Sequence, residues 1–204
     1  LLGGAVSIHV HGNIHFWAGA FGNFVEELTL LTPGGETLSC SLTENSEIFR
    51  ATLGGVGLTG IILSLKLRLI PVKSAWISVD YHKSEDLEDA LAVMAGSDCD
   101  YKYSVAWVDC LAKGSNLGRA ILMRGNHAEP GALDLRQQEN PLALPSAKTL
   151  GVPLDFPGFV LNPWSITAFN TSFYALHHDR RGVITGYDSY FYPLDRIHNW
   201  NRMY

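Results

Sequence analysis

His9, His11 and His15 crowd the start of the chain, in the stretch LLGGAVSIHVHGNIHF. Imidazoles two residues apart on an extended strand share a face. With a third neutral imidazole they could supply the three protein ligands of a catalytic zinc, leaving one position for water. The chemistry on offer would be hydrolysis by a metal-activated hydroxide. Against it, the nearest carboxylates, Glu26 and Glu27, lie beyond the small-residue stretch WAGAFGN. An H-x-H pair also arises readily in a chain with 8 histidines, so polar residues lining a strand face explain the pattern equally well.

Glycine is the next candidate, because it lets backbone approach a ligand closely. Gly3-Gly4 precedes the histidines, and GGVGLTG occupies 54–60. The second stretch contains Gly55-x-Gly57-x-x-Gly60, but it follows a helix pattern and precedes a strand pattern, the reverse of the dinucleotide-binding order. No Gly-Lys-Ser/Thr phosphate loop and no G-x-S-x-G nucleophile elbow occurs. Trp76, Tyr101, Tyr103, Trp107, Tyr187, Tyr190, Phe191 and Tyr192 read as strand aromatics. They would either floor a glycan or lipid pocket or pack against a helix. His177-His178-Asp179-Arg180-Arg181 reads as a solvated turn.

These residues must be held by a folded scaffold, and the composition is that of one. Of 204 residues 47% are apolar and 17% charged, with a net charge of −5. No basic cluster supplies the footprint of nucleic-acid binding. The longest apolar run is broken by Lys66 and Arg68, too short for a membrane span. Cys40, Cys99 and Cys110 fit neither a disulfide framework nor a C-x-x-C site. With no secretory signal at Leu1, the expectation is a cytoplasmic protein whose chain here starts and stops inside something longer.

Alternation of Val6, Ile8 and Val10 with Ser7, His9 and His11 predicts a strand over 5–12. The runs flanking Thr32-Pro33-Gly34-Gly35 predict a hairpin. A short helix follows from Asn45 or Ser46 as side-chain cap to Gly54-Gly55. Leu63, Leu65, Leu67 and Leu69 alternate with Ser64, Lys66 and Arg68, a strand with one wet face that stops at Pro71. A domain junction falls near 71–74. Beyond it come a strand (AWISVDYH), a helix from Ser84 carrying Leu87, Ala90, Leu91 and Met94, and two strands (YKYSVAWVDC and GRAILMRG). A long aperiodic stretch over 125–163 leads to a final aromatic strand. Hairpins with isolated helices indicate an α+β fold.

Taken in order, LLGGAVSIHVHGNIHFWAGAFGNFVEELTLLTPGGE, NSEIFRATLGGVGLTGIILSLKLRLIP, YKYSVAWVDC, LGRAILMRG and YFYPLDRIHNWNRMY resemble the vanillyl-alcohol-oxidase / p-cresol-methylhydroxylase class of FAD-linked oxidoreductases. Within it they resemble the decaprenylphosphoryl-β-D-ribose oxidase branch. The likeness runs over essentially the whole chain. It implies that 1–72 is the C-terminal portion of a p-cresol-methylhydroxylase-type FAD-binding domain. It also implies that 73–204 is the N-terminal portion of an antiparallel-sheet substrate-binding cap domain.

The implied cofactor is non-covalent FAD, and the implied reaction is hydride transfer from a sugar or alditol alcohol, with electrons passed to an unspecified acceptor. By the resemblance, Gly3, Gly4, Ile8, His9, Val10, His11, Gly12 and Ile62 lie along the cofactor. His11 is the substrate-side candidate, and no metal is involved. The branch follows its His-Gly with Lys-Asn-His-His where this chain has Asn13-Ile14-His15-Phe16. The lost cation points away from a polyprenyl-phosphate sugar. The family's pyrophosphate loop and its catalytic Lys and Cys are expected outside this stretch, so the fragment alone is expected to be inactive. The competing expectations are a zinc-dependent hydrolase on His9, His11 and His15, and a non-catalytic glycan- or partner-binding module.

Overall fold

A computed structural model describes residues 2–12, 18–144, 150–152, 154–195, 197–199 and 202. The chain divides into two compact units, Leu1–Pro71 and Val72–Tyr204. Both combine helices with antiparallel sheet, an α+β composition.

Unit 1 opens with a helix, α1 (Leu2–Ser7), where alternation predicts a strand. The N–H of His9 bonds to the Val6 carbonyl and that of Val10 to the Ala5 carbonyl, both at 3.0 Å, while His9 has φ +50°. This is a Schellman termination with His9 in the left-handed position. Val6 is fully buried but Ile8 is 63% exposed, so the apparent period of two does not mark one face. The small residues Gly3, Gly4 and Ala5 give no apolar signal of their own, which is why the helix is silent in the sequence.

The predicted hairpin is present as β1 (Val25–Leu31) and β2 (Thr37–Ser41), closed by Gly35 N–H donating to the Thr32 carbonyl at 3.0 Å. Gly35 has φ +85°, which explains the glycine there. Helix α2 (Ser46–Thr52) starts at Asn45, but not through its side chain. That amide instead donates to the Ser39 carbonyl at 2.7 Å, and the Asn45 carbonyl accepts from Phe49 N–H.

Strand β3 (Ile61–Leu67) pairs with β1, giving the sheet order β2-β1-β3. Its register slips between Thr29↔Ser64 and Leu30↔Ile62, so Leu63 is a bulge. The bulge shifts the phase. Ile62, Leu65 and Leu67 face the core, whereas Leu63, expected inside, is 54% exposed. The core itself gathers Val6, Val25, Leu28, Leu30, Cys40 and Phe49. Each large side chain there contributes about 2 kcal/mol by leaving water.

Unit 2 is built on β4 (Trp76–Ser84), β5 (Tyr103–Val108), β6 (Ala120–His127) and β8 (Arg180–Gly186), an antiparallel sheet in the order β5-β6-β4-β8. Helix α3 (Leu87–Ser97) begins where Asp86 Oδ1 accepts from Asp89 N–H at 2.8 Å. It sets Ala90, Val93 and Met94 on Ala106, Ala120 and Leu122, one face of the sheet. The stretch after β6 holds a short α4 (Leu135–Glu139) and the two-residue strand β7 (Leu150–Gly151), which pairs in parallel with β9 (Ile197–His198).

Two elements depart from the sequence reading. Helix α5 (Pro163–Leu176) is not anticipated, although Asn162-Pro163-Trp164-Ser165 spells its start. Asn162 Oδ1 accepts from the N–H groups of Trp164 and Ser165, and Asn162 N–H donates back to Ser165 Oγ. Tyr187–Phe191 is a helix, α6, and not the aromatic strand expected, because β8 already ends at Gly186. Arg180 and Arg181, expected in a turn, open that strand. The other sheet face is covered by these helices. Trp107 and Phe173 ring centroids are 4.7 Å apart, and Tyr103 meets Phe191 edge-on at 4.8 Å.

Candidate functional site

In unit 1 the turn that ends α1 runs into a groove of about 390 Å³. Val10, His11 and Gly12 form one side, and Gly19, Phe21, Phe24 and the segment Leu67–Ile70 complete the lining. Three bonds fix that turn. Val10's carbonyl accepts from Phe21 N–H at 2.8 Å, Val6's from Gly54 at 3.0 Å and Ser7's from Val56 at 2.8 Å. The loop after α2 thus satisfies carbonyls that a short helix would leave bare.

The candidate residues separate into groups. Val10, His11 and Gly12 share the groove. Gly3 lies against β3, where a Cβ would come 3.6 Å from Ile62 Cβ. Ile8 points outward. His9 turns away from His11's groove: a Cβ on Gly22 would come 3.1 Å from its Cε1, and one on Gly54 3.3 Å from its Cβ. Its imidazole is a packing group between two loops.

This geometry removes the basis of the zinc reading. With α1 helical, His9 and His11 do not share a strand face, and His15 lies outside the described residues along with Asn13, Ile14 and Phe16. Among the described residues no three of His, Cys, Asp or Glu gather as a metal site would need.

No family model matches the chain. Individual relatives do. Over its full length it is 34% identical to decaprenylphosphoryl-beta-D-ribose oxidase of Mycolicibacterium smegmatis, covering 100% of this chain and 45% of that protein. L-gulonolactone oxidase of Scyliorhinus torazame is 36% identical over 34% of the chain and 16% of its own length. Cytokinin dehydrogenase 4 of Oryza sativa is 33% identical over 41% of the chain and 16% of its own length. Along its whole length the chain is similar to FAD-linked oxidoreductases. It spans less than half the length of the curated relatives it matches.

The cofactor of such an oxidoreductase is FAD, and the candidate residues can be tested against it. A Cβ on Gly4 or Gly12 would meet nothing within 4 Å, and neither has a positive φ. The chain's own packing therefore does not demand glycine at either place. Bare backbone at both positions suits a ligand laid against it, and the apolar groove wall suits a flat ring. The residues present fit the group.

In unit 2 a second cavity, of about 430 Å³, has a residue that sequence reading passes over: His127. Its Nδ1 is 2.7 Å from the Ser74 carbonyl and its Nε2 is 3.1 Å from the Tyr103 hydroxyl. A carbonyl only accepts, so Nδ1 carries the proton, and in the neutral ring Nε2 accepts from Tyr103. Burial pushes the His127 pKa below its ordinary value; the Ser74 bond opposes this and the charge of Lys102 adds to it. Burial likewise raises that of Tyr103. Tyr103 is legible as the start of β5, but His127 falls in the stretch that reads as aperiodic, and bringing the two together requires the strand register.

No helix among the described residues is long and apolar enough to cross a membrane.

Proposed function

We propose that the chain is part of a flavin-dependent enzyme that oxidises the carbinol carbon of a sugar or alditol by hydride transfer to non-covalently held FAD. The electrons then pass to a separate acceptor. In this reading 1–72 is the C-terminal portion of the FAD-binding domain and 73–204 the N-terminal portion of the substrate-binding cap. The observation that carries it is the match of the whole chain to a decaprenylphosphoryl-ribose oxidase. The shorter match to a lactone oxidase supports a sugar-like substrate.

Bound FAD supplies the hydride acceptor. The chain's own contribution is positional. Gly4 and Gly12 offer open backbone; Phe21, Phe24 and Leu67 keep one side of the groove dry; His11 supplies a polar side chain on the substrate side. With Asn13-Ile14-His15-Phe16 after the His-Gly pair, the proposed substrate is a sugar or alditol without a polyprenyl phosphate. The glycan-module alternative loses its platform, since helices cover Tyr103 and Trp107.

The test compares the chain alone with its full reading frame. The isolated chain is expected to release added FAD on gel filtration. The full-frame protein is expected to stay yellow and to bleach on anaerobic addition of an alditol or sugar. A full-frame protein that cannot retain FAD overturns the flavin reading. One that is yellow but bleached by none of these alcohols overturns the substrate class.

A further inference from the structure

The face of the unit 2 sheet that α3 covers also holds a polar cavity of about 480 Å³, bounded by β4, β6, the start of β8 and the last residue of α3, Ser97. Arg124 lines it from β6 and is only 7% exposed. Its Nη1 donates to Ser97 Oγ, and its guanidinium lies 4.9 Å from the centroid of the Tyr101 ring. Its Nε–H is buried with no acceptor among the described residues. A buried guanidinium with an unused donor is costly, and it leaves Arg124 on the cavity wall as a charge the fold does not compensate.

The carboxylates in the cavity do not supply that acceptor. Asp80 accepts from Gly182 N–H at 2.7 Å and from the Tyr101 hydroxyl at 2.8 Å. Asp179 accepts from Lys83 N–H at 2.8 Å, with its other oxygen 3.5 Å from His82 Nδ1. Arg180 lies over the Tyr81 ring, at 5.1 Å from its centroid, and Arg181 is exposed at the rim. Among the described residues none of the three arginines forms an ion pair. The cavity is left with surplus positive charge and surplus N–H donors.

We propose that this cavity binds the phosphate monoester of a small molecule. A carboxylate brings one charge and suits one guanidinium fork. A phosphate monoester brings close to two charges and three acceptor oxygens, which suits a cluster of guanidinium groups. The volume is that of a small-ligand pocket and leaves room for the organic part of an ester. The site is independent of the flavin groove, so its failure would not touch the oxidoreductase reading.

The phosphoryl group could arrive on a free ester or on a lipid headgroup, and the experiment separates them. The full chain is titrated with glycerol 1-phosphate and followed by amide NMR, against sodium chloride and sodium acetate at matched ionic strength. In parallel it is sedimented with phosphatidylcholine vesicles with and without phosphatidic acid. Saturable shifts at Gly182, Lys83 and Ser97 with the soluble ester, weaker with acetate, are expected. Arg181→Gln should weaken binding at least about fivefold. Binding confined to phosphatidic acid vesicles and lost in Arg181→Gln would also support the site, with a headgroup as its source. Arg124→Gln should abolish binding if it folds, and Arg181→Gln, altering an exposed side chain, decides the matter if it does not. Neither probe binding above the chloride control, acetate binding as well as the ester, or Arg181→Gln binding like the parent would overturn the proposal.

Discussion

Tyr103 and His127 share a hydrogen bond of 3.1 Å across the β5–β6 pair, with the Ser74 carbonyl fixing the tautomer from the other side of the ring. Because burial lowers the His127 pKa, the unfolded chain binds more protons than the folded one below the ordinary value of 6.5. The stability His127 contributes is therefore present above that pH and is lost as pH falls through the folded pKa. Urea denaturation across this range should show a stability that rises with pH, and His127→Gln should flatten that slope. An unchanged slope in the variant would mean that folding does not lower the His127 pKa.

A second prediction concerns Asp109, which is 2% exposed. Burial alone would raise its pKa, but bonds from Arg119, Asn170 and the Leu111 N–H outweigh it and hold the carboxyl below the ordinary value. Arg119 Nη2 is 2.7 Å away and Asn170 Nδ2 also 2.7 Å, so this aspartate ties β5 and β6 to α5. Arg119→Ala strands a buried charge and should cost roughly 3 kcal/mol by chemical denaturation. Asn170→Ala should cost about 1 kcal/mol. The parent's Asp109 contribution is present above the ordinary carboxylate pKa and lost as pH falls through the lowered one. Arg119→Ala should lose stability less steeply over that acid window.

His9 gives a third. At φ +50° a β-carbon is strained, and the ring fills space beside Gly22 and Gly54. His9→Gly relieves the strain while His9→Ala only loses the packing, so the glycine variant should be more stable than the alanine variant by about 1 kcal/mol. Equal thermal midpoints would refute the left-handed placement.

The groove proposed for flavin gives a fourth. Side chains placed on Gly4 or Gly12 meet open space in the chain itself. Gly12→Val in the full-frame protein should therefore leave the urea midpoint nearly unchanged yet weaken FAD binding by about tenfold, near 1.4 kcal/mol. A large fall in the midpoint with unchanged flavin affinity would assign the glycine to folding.

Which parts of this were legible follows from the kind of signal each carries. The Thr32–Glu36 turn was readable because Pro33 and Gly35 act locally, and the β4, β5 and β6 strands because they are rich in β-branched, aromatic and aliphatic residues. Helix α1 was not, since Gly3, Gly4 and Ala5 carry no periodicity and Val6, Ile8 and Val10 mimic a strand. The inward set of β3 was misphased because a bulge leaves no mark in composition. Helix α5 was overlooked although its Asn-Pro-Trp-Ser start is local chemistry. In the groove proposed for flavin, the resemblance supplied Val10, His11 and Gly12, while the removal of His9 from it depended on one backbone torsion.

The bulge at Leu63 has a bearing on company as well as on the core. Among the described residues β3 is an outer strand of its sheet, with Ile61 and Leu63 both well exposed. Greasy outer strands invite an identical molecule to add itself alongside, and so on without end. Here the ladder beyond β1 is broken mid-strand and Lys66 sits two residues short of Arg68. A newcomer would find its hydrogen bonds out of step, so the same residue that misled the face assignment works against sideways growth into fibres.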